Sequence, residues 1–436
     1  MHLPEYVKEC IDALENAGFA AYAVGGCVRD ACLGRVPQDY DLCTAALPEQ
    51  TEEVFARKRL ILTGKKHGTV GVITDSGVVE ITTYRTEGGY QDNRHPDWVE
   101  FVTSLEEDLS RRDFTVNAMT FSPTRGFADP FGGREDLKNG ILRAVGDPEQ
   151  RFREDSLRIL RGIRFAVRFG LTPDAATEQA MFALAPLMDN LARERVFEEL
   201  SKFLLLATAA DILRWAPILA AVIPELAPMI GFNQHSPYHA FDLMGHTAHV
   251  VENTPRDLTL RWTALLHDTG KIPTFTRDET GRGHFYGHAG ESARIADNVL
   301  RRLKAPTALR ETAVELIGLH MNKIESTQKA VRRCLNRLGP EKFEMLLKQQ
   351  TADMCSKGII HPPVLEHFEE LRQIRDQLLA EDACFCLKDL ALNGHDLIAL
   401  GYEGRAIGET LNRLLELVLD EQVENSKDAL LAALKE

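Results

Sequence analysis

Asp39 and Asp41 stand two residues apart in a short extended segment, Asp39–Leu42. In a strand, residues i and i+2 point to the same side, so both carboxylates would face one site. Two such carboxylates repel unless a cation lies between them. Mg²⁺, with oxygen ligands and substrate phosphates, fits that chemistry. The commoner fate of such a pair is a solvated strand end. Glu80 lies in the apolar run Val78-Val79-Glu80-Ile81. It is either an outward-facing or edge-strand glutamate, or a third carboxylate of the same site, and both readings stay open here. Gly25-Gly26 separates a strand, Ala20–Val24, from a helix starting near Val28. Two glycines there let backbone N–H groups approach a triphosphate at a helix N-terminus, although most such turns are only turns.

Asp155 and Arg158 are spaced i and i+3 on a predicted helix, so both can face one pocket, with Glu154 rotated away. A carboxylate accepts from an exocyclic amine, and a guanidinium donates to a ring nitrogen or carbonyl. C and A carry that amine where U and G present a carbonyl. One pair could therefore admit CTP and ATP and reject UTP and GTP. On spacing alone, a surface salt bridge worth a few tenths of a kcal/mol is the simpler reading. Arg161, Arg164 and Arg168 continue the stripe with few acids interleaved, which suits phosphate contact better than a solvated face. Arg112 suits a phosphate or ribose contact, or an ion pair with Asp113.

Eight of the 14 histidines fall between His235 and His320. His246, His267-Asp268 and, further on, Asp353 offer mixed nitrogen and oxygen ligands for a divalent metal. The bland reading is a helical scaffold whose metal site has lapsed.

Elements that could hold these groups follow from patterning. The 436 residues exceed one ordinary core, so two to four domains are expected. A helix over 4–17, a hairpin of Thr69–Thr74 and Val78–Tyr84 turned at Asp75-Ser76-Gly77, and a polar loop over 86–98 mark a mixed α/β head. From Glu149 onward the pattern is helical. The eight scattered cysteines, with no CxxC pair, read as reduced thiols. The N-terminus lacks signal-peptide order and no apolar run reaches membrane length, so a cytoplasmic protein without membrane contact is expected. A net charge of −14 argues against wholesale wrapping of nucleic acid. It leaves room for a local basic groove, since residues 151–170 carry six arginines against two acids.

GGCVRD (25–30), DYDL (39–42), RRDFTVNAM (111–119), DPFGGREDL (129–137), EDSLRILRGIRF (154–165) and ERVFEEL (194–200) resemble, in order, the motif set of class II tRNA nucleotidyltransferases, a class that includes bacterial poly(A) polymerases. Residues 387–419 are similar to the tRNA-binding tail of bacterial CCA-adding enzymes. The resemblance implies an α+β fold with a polymerase-β-like head at 1–145, a helical neck at 146–230, an HD-type body at 231–355 and a tRNA-binding tail at 356–436. It implies template-independent addition of C, C and A to tRNA from CTP and ATP. Asp39, Asp41 and Glu80 would be catalytic, the two aspartates holding Mg²⁺ that activates the RNA 3′-hydroxyl and neutralises the leaving pyrophosphate. Gly26, Arg29, Arg112, Asp155, Arg158, Arg161 and Arg164 would contact the nucleotide, with Glu194-Arg195 supporting the base-selecting helix. The loop 86–98, with Asp92, Arg94 and nearby Arg85, resembles the flexible loop of members that add the full CCA.

His246, LLHDTGK (265–271), His284, His288 and His320 resemble an HD-domain site, with Asp353 closing it, a transition metal bound and Lys271 holding a substrate phosphate. The alternatives are a poly(A) polymerase, against which the acidic C-terminal half speaks, a partial CC- or A-adding enzyme, an HD phosphohydrolase using the head only to bind tRNA, or a non-catalytic tRNA-binding protein. Intact Asp39, Asp41, Asp155 and Arg158 weigh against the last two.

Overall fold

The computed structural model describes residues 1–88, 98–236, 240–358, 362–381 and 384–435. It divides into two compact units. The first comprises 1–206 and 215–224, and the second 207–214 and 225–436. The boundary expected near residue 145 thus falls inside the first unit.

The first unit opens with α1 (Glu5–Asn16), β1 (Ala21–Val24), α2 (Gly26–Cys32), β2 (Asp41–Thr44), α3 (Pro48–Val54), β3 (Arg59–Ile61), β4 (Thr69–Thr74) and β5 (Gly77–Thr83). After β6 (Arg85–Gly88) and β7 (Trp98–Phe101) come α4 (Leu105–Ser110), β8 (Thr120–Ser122), β9 (Gly126–Ala128), α5 (Gly133–Lys138) and β10 (Ile141–Leu142). Seven strands form one sheet in the order β3-β4-β5-β2-β1-β8-β9. Its one parallel pair, β2 with β5, lies near the middle and sets Asp41 directly opposite Glu80. The hairpin turned at Asp75-Ser76-Gly77 pairs in full register from Thr69↔Thr82 to Thr74↔Gly77. The expected loop over 86–98 is partly strand, because β6 and β7 pair from Arg85↔Phe101 onward. Asp92 and Arg94 lie outside the described residues.

The helical run then begins as α6 (Pro148–Glu154) and α7 (Leu157–Phe169). It is broken where one continuous helix was expected. Asp155 has φ −140° and ψ 100°, and its Oδ1 accepts from the Leu157 N–H at 3.0 Å. A short acidic side chain that satisfies an amide with no helical partner favours a helix start over a helix interior. Past β11 (Thr172–Pro173), α8 (Ala175–Leu184) and α9 (Arg193–Leu204) follow, with α10 (Ala209–Val222) running through both units. Phe114 packs against Phe152 of α6 and Phe165 of α7, at ring-centroid distances of 6.4 and 5.9 Å. These contacts seat α6 and α7 on the head's core.

The second unit is helical. Its α11 (Leu243–Asn253), α12 (Leu258–Leu266), α13 (His288–Arg302), α14 (Thr307–Leu319) and α15 (Gln328–Cys355) surround the histidine-rich segment, with a small β12–β13 hairpin (Thr276–Arg277, Gly283–His284) between α12 and α13. Gly339 (φ 72°) and Pro340 break α15 in two. Leu316, Phe343, Leu346 and Leu371 of α14, α15 and α16 (Pro362–Ala380) share one core. The tail helices α17 (Gly394–Ala399), α18 (Arg405–Leu419) and α19 (Lys427–Ala433) keep a core of their own around Leu397, Leu414 and Leu430. Among the described residues, no helix is long and apolar enough to cross a membrane.

Gly133 opens α5 where a Cβ would fall 2.1 Å from the Thr115 carbonyl oxygen. Backbone must therefore move to admit any side chain. Gly133→Ala is expected to cost about 1–3 kcal/mol of stability, read as a lower denaturant midpoint at unchanged m-value. An unchanged midpoint would show that the α5 packing tolerates a methyl group.

Candidate active site and metal centre

Around Asp39 the chain alternates exposed, buried, exposed. Tyr40 is tucked edge-on against Tyr6, with ring centroids 6.3 Å apart, while Asp39 and Asp41 reach solvent. Glu80 reaches solvent too, between buried Val79 and Ile81, and β5 is an inner strand, so the edge-strand reading of Glu80 does not hold. Among the described residues, none of Asp39, Asp41 and Glu80 forms a side-chain hydrogen bond or ion pair. The Asp41 carboxyl is raised above its ordinary value, first by partial loss of hydration and then by Glu80 beside it, with Arg112 opposing and Asp39 adding. This is an anionic patch with spare oxygen ligands, and a divalent cation fits it.

Gly25 adopts φ 74° and ψ −122°, and a Cβ there would sit 3.0 Å from Arg112 Nη1. The Arg112 guanidinium thus lies across the glycine turn on the side of Asp41. Its ion-pair neighbour is Asp108, at 3.6 Å, and not Asp113 as the simple reading had it.

Asp113 is instead the centre of a buried relay. Its Oδ2 accepts from Arg161 (Nη2 at 2.6 Å) and its Oδ1 from Asn117 Nδ2 at 2.9 Å. Asn117 Oδ1 in turn accepts from Arg29 Nη1, and Arg29 donates twice to Asp30. Burial works hardest against ionising Asp113, but Arg161, Asn117 and Arg158 outweigh it and hold the carboxyl near about 2. Arg29 is 5% exposed and stacks on Phe169 at 4.2 Å. It therefore welds α2 to α7, and little of its guanidinium is left to reach a nucleotide.

Arg158, Arg161 and Arg164 of the arginine stripe find acids on other elements or earlier turns, while Arg168 stays exposed over the Phe169 ring. Arg158 pairs with Glu154 at 2.9 Å and donates to the carbonyls of Arg151 and Arg111. Glu154, expected to be rotated away, is thus the partner: it precedes Arg158 by four residues, a spacing at which side chains are neighbours on a helical path. Arg164 is buried against Glu199 of α9 and takes no surface position for a phosphate. Asp155 is held from α9 by Arg195 at 3.2 Å, the support expected of Glu194-Arg195. Gly26 begins α2, where a Cβ would meet only Arg29 Nη2 at 3.6 Å.

In the second unit, His246, His267, Asp268 and Asp353 do converge, and all are buried. His246 Nε2 lies 2.9 Å from Asp353 Oδ1 and 3.4 Å from Asp268 Oδ2, and His267 Nε2 lies 3.2 Å from Asp268 Oδ2. His288 and His320 join from the other side, 3.5 and 3.8 Å from Asp268 Oδ1. Two ligand groups, His246/His267/Asp268 and Asp268/His288/His320, thus share one carboxylate. Each ring has Nδ1 against a backbone carbonyl, of Ser356, Ala264, Phe285 and Ile317 respectively, which turns its Nε2 toward the aspartates. His267 Nε2 and His288 Nε2 are buried without a hydrogen bond among the described residues. Orphaned nitrogens around a carboxylate are what a metal centre requires.

Burial, then neighbouring His267, pushes His320 down to about 4, and burial first lowers His288. Burial opposes the charge on His267, but Asp268 and Asp353 raise it. Lys271 is buried between Asp268 (2.8 Å) and Gln234 (2.9 Å), an internal counter-ion and not an accessible phosphate hook. His284 stays outside the cluster, bound to Asp278 at 2.7 Å. Gly270 is needed because a Cβ there would strike Ser292 N at 2.4 Å on α13, the helix that carries His288.

Three family descriptions match the chain: a poly A polymerase head domain over 21–143, a probable RNA- and SrmB-binding site of polymerase A over 170–230, and an HD domain over 238–354. A CCA-adding enzyme of Lactiplantibacillus plantarum is 33% identical, the alignment covering 97% of this chain and 94% of that protein. One from Bacillus velezensis is 31% identical over 97% and 96%. Among solved structures, a Bacillus stearothermophilus CCA-adding enzyme in complex with CTP superposes with a TM-score of 0.74 at 28% identity, covering 100% of this chain and 98% of that one. A Thermotoga maritima CCA-adding enzyme complexed with tRNA shares the fold at TM-score 0.58 and 20% identity, covering 99% and 96%.

A carboxyl held below its unfolded value stabilises the fold above that value, and the contribution is lost as pH falls through the folded one. For Asp113 the window runs from 3.8 down to about 2. Wild type is expected to lose about 2 kcal/mol there through this group, measured by urea unfolding at stepped pH. Asp113→Asn should be less stable at pH 5 and show a correspondingly flatter acid limb. Parallel limbs for the two proteins would remove Asp113 from the hub of the relay.

Proposed function

This chain belongs to the CCA-adding enzymes, and from that premise we propose that its head adds C, C and A to the 3′ end of tRNA from CTP and ATP, with Asp39, Asp41 and Glu80 holding two Mg²⁺ ions. The observation that carries the metal reading is the carboxylate set at the paired strands β2 and β5, Asp41 opposite Glu80 with Asp39 just before β2, which has no ion-pair partner among the described residues. Bound there, divalent ions would make the RNA 3′-hydroxyl a better nucleophile and offset charge on the triphosphate. Gly26 and the turn before it leave backbone close to the phosphates, and Arg112 offers a forked donor beside them.

Asp155 and Arg158 select the base. Asp155 keeps lone pairs beyond those used by Arg195 and Leu157 N–H, and these can accept from the exocyclic amine of C or A. Arg158 is fixed by Glu154 and two carbonyls, so its remaining donor edge is held in one orientation. Arg161, Arg164 and Arg29 brace this arrangement from behind. A tRNA ending at the discriminator base, given one labelled nucleotide at a time, should receive two C residues from CTP, one A after them from ATP, and then no more. Asp41→Ala should abolish addition while its circular dichroism stays native. Near-normal turnover of that variant in Mg²⁺ would refute the metal assignment.

The second unit supports a separate activity. The HD cluster binds a transition metal and hydrolyses phosphoesters, such as terminal or 2′,3′-cyclic phosphates on damaged tRNA ends, which would expose the 3′-hydroxyl that the head extends. When bound, the metal supplies an activated water for that hydrolysis. Both ligand groups use Asp268, so Asp268→Ala should lose all bound metal and all phosphatase activity yet keep CCA addition. His320→Ala should lose only the metal share held with His288. Wild type that retains no Mn²⁺, Ni²⁺ or Co²⁺ after dialysis and cleaves no phosphoester would reduce the unit to scaffold.

A further inference from the structure

Asp108 is 1% exposed, in the only turn and a half of α4, and its carboxylate has no contact with solvent. Its Oδ1 accepts from Arg111 Nη2 at 2.8 Å, from Arg111 Nε at 3.2 Å and from the Arg85 backbone N–H at 3.3 Å. Arg111 Nε also donates to the Arg85 carbonyl at 2.9 Å. The Arg85 peptide is therefore gripped on both its polar groups. This fixes α4 to the chain emerging from β5, the strand that carries Glu80. The other oxygen, Oδ2, has no hydrogen bond among the described residues and faces Arg112 Nη2 at 3.6 Å.

Arg112 is the residue whose guanidinium lies across the Gly25 turn and moderates the charge on Asp41. A long arginine side chain has several rotamers, and a partly exposed one on a loop would sample them at an entropic cost to every hydrogen bond it then makes. A buried carboxylate removes that freedom. The far end of α4 is fixed as well. Arg151 donates to the Ser110 carbonyl at 3.1 Å and Arg158 to the Arg111 carbonyl at 2.9 Å. The segment 108–112 is thus clamped at one end by the sheet and at the other by the helices that carry Asp155 and Arg158.

We propose that Asp108 is a positioning residue for nucleotide addition: it holds Arg112 over the glycine turn beside Asp41, where the incoming triphosphate lies, and keeps that arginine in fixed relation to the base-selecting Arg158. This rests on the nucleotidyltransferase reading above. Asp108 touches neither substrate nor metal. It acts through Arg112, and a carboxylate buried merely for stability would alter unfolding without altering nucleotide affinity.

The test measures KM and kcat for CTP, with tRNA ending at the discriminator base, for wild type, Asp108→Asn, Arg112→Gln and the double variant. Loss of a charge-assisted contact predicts about a ten-fold rise in KM for CTP in Asp108→Asn, with kcat changed far less. Arg112→Gln should raise KM by a similar factor, and the double variant no further, because the aspartate acts through the arginine. Should Asp108→Asn not fold, Asp108→Glu replaces it. That variant keeps the charge but moves it by one methylene, and must still raise KM. A wild-type KM in the folded Asp108 variant, or factors that multiply in the double variant, would overturn the proposal. Absence of nucleotide addition by wild type would instead strike the nucleotidyltransferase reading on which it rests.

Discussion

A carboxylate taken out of water must find a cation or give up its charge, and the placement of Asp113 under that rule sets much of the first unit. Its direct and relayed partners come from three segments, two of them distant in sequence. Arg161 belongs to α7, Asn117 lies four residues on, and Arg29 is reached through Asn117. α7 cannot slide along its axis without breaking the Arg161 pair, and α2 cannot rotate without losing the Arg29 end of the relay. The glycine turn before α2 and the residues at the start of α7, proposed above to select the base, are thereby fixed to one another. Phe114, the next residue, adds aromatic contacts with Phe152 and Phe165 beside the relay. The same rule read in reverse marks the proposed catalytic patch. Asp41 stands opposite Glu80, with Asp39 two residues before it, yet among the described residues no arginine forms an ion pair with them, so a divalent ion would supply the compensation.

The stripe of arginines shows how charge in sequence and charge in space differ. Arg158, Arg161 and Arg164 have carboxylates within hydrogen-bond reach, from Glu154, Asp113 and Glu199. Arg158 and Arg164 are buried, whereas Arg161 is partly exposed and Arg168 more so, which leaves two of the four facing outward. Buried ion pairs of this kind add modestly to stability because dehydration offsets the attraction, but they are strict about geometry. Strict geometry is what nucleotide selection by protein side chains requires, since no template strand supplies it.

The head's elements were legible because they are local. The Thr69–Thr83 hairpin is written in its own residues, and the alternation around Tyr40 places both aspartates on one side. The side of the sheet that Glu80 would join was not legible, because it depends on β5 lying parallel to β2, a pairing of residues 39 positions apart. The partners of the arginines were hidden for the same reason. Asp113 and Arg161 are separated by 48 residues, and no local pattern joins them. The expectation that Glu154 points away failed because it precedes Arg158 by four residues, which makes the two side chains neighbours. The extended backbone of Asp155 ends α6 just before α7, a break that the helical pattern does not announce. In the second unit the ligands were legible by chemistry, as histidines and aspartates in one stretch. The doubling of the site around Asp268 needed α13 and α14 to bring His288 and His320 to its second oxygen.

The two centres differ in how they are built. The HD cluster is buried and its imidazoles are held by backbone hydrogen bonds, so the candidate ligands are already in place for an ion. The head patch faces solvent, and under the proposed function the substrate's own phosphates would complete it, which suits ions that enter and leave with each nucleotide. Anomalous scattering from crystals grown with Mn²⁺ and CTP addresses that distinction most directly. The account predicts manganese peaks between the triphosphate and the carboxylates of Asp39 and Asp41. Peaks confined to the HD cluster, with CTP ordered in the head and no ion beside those aspartates, would contradict it.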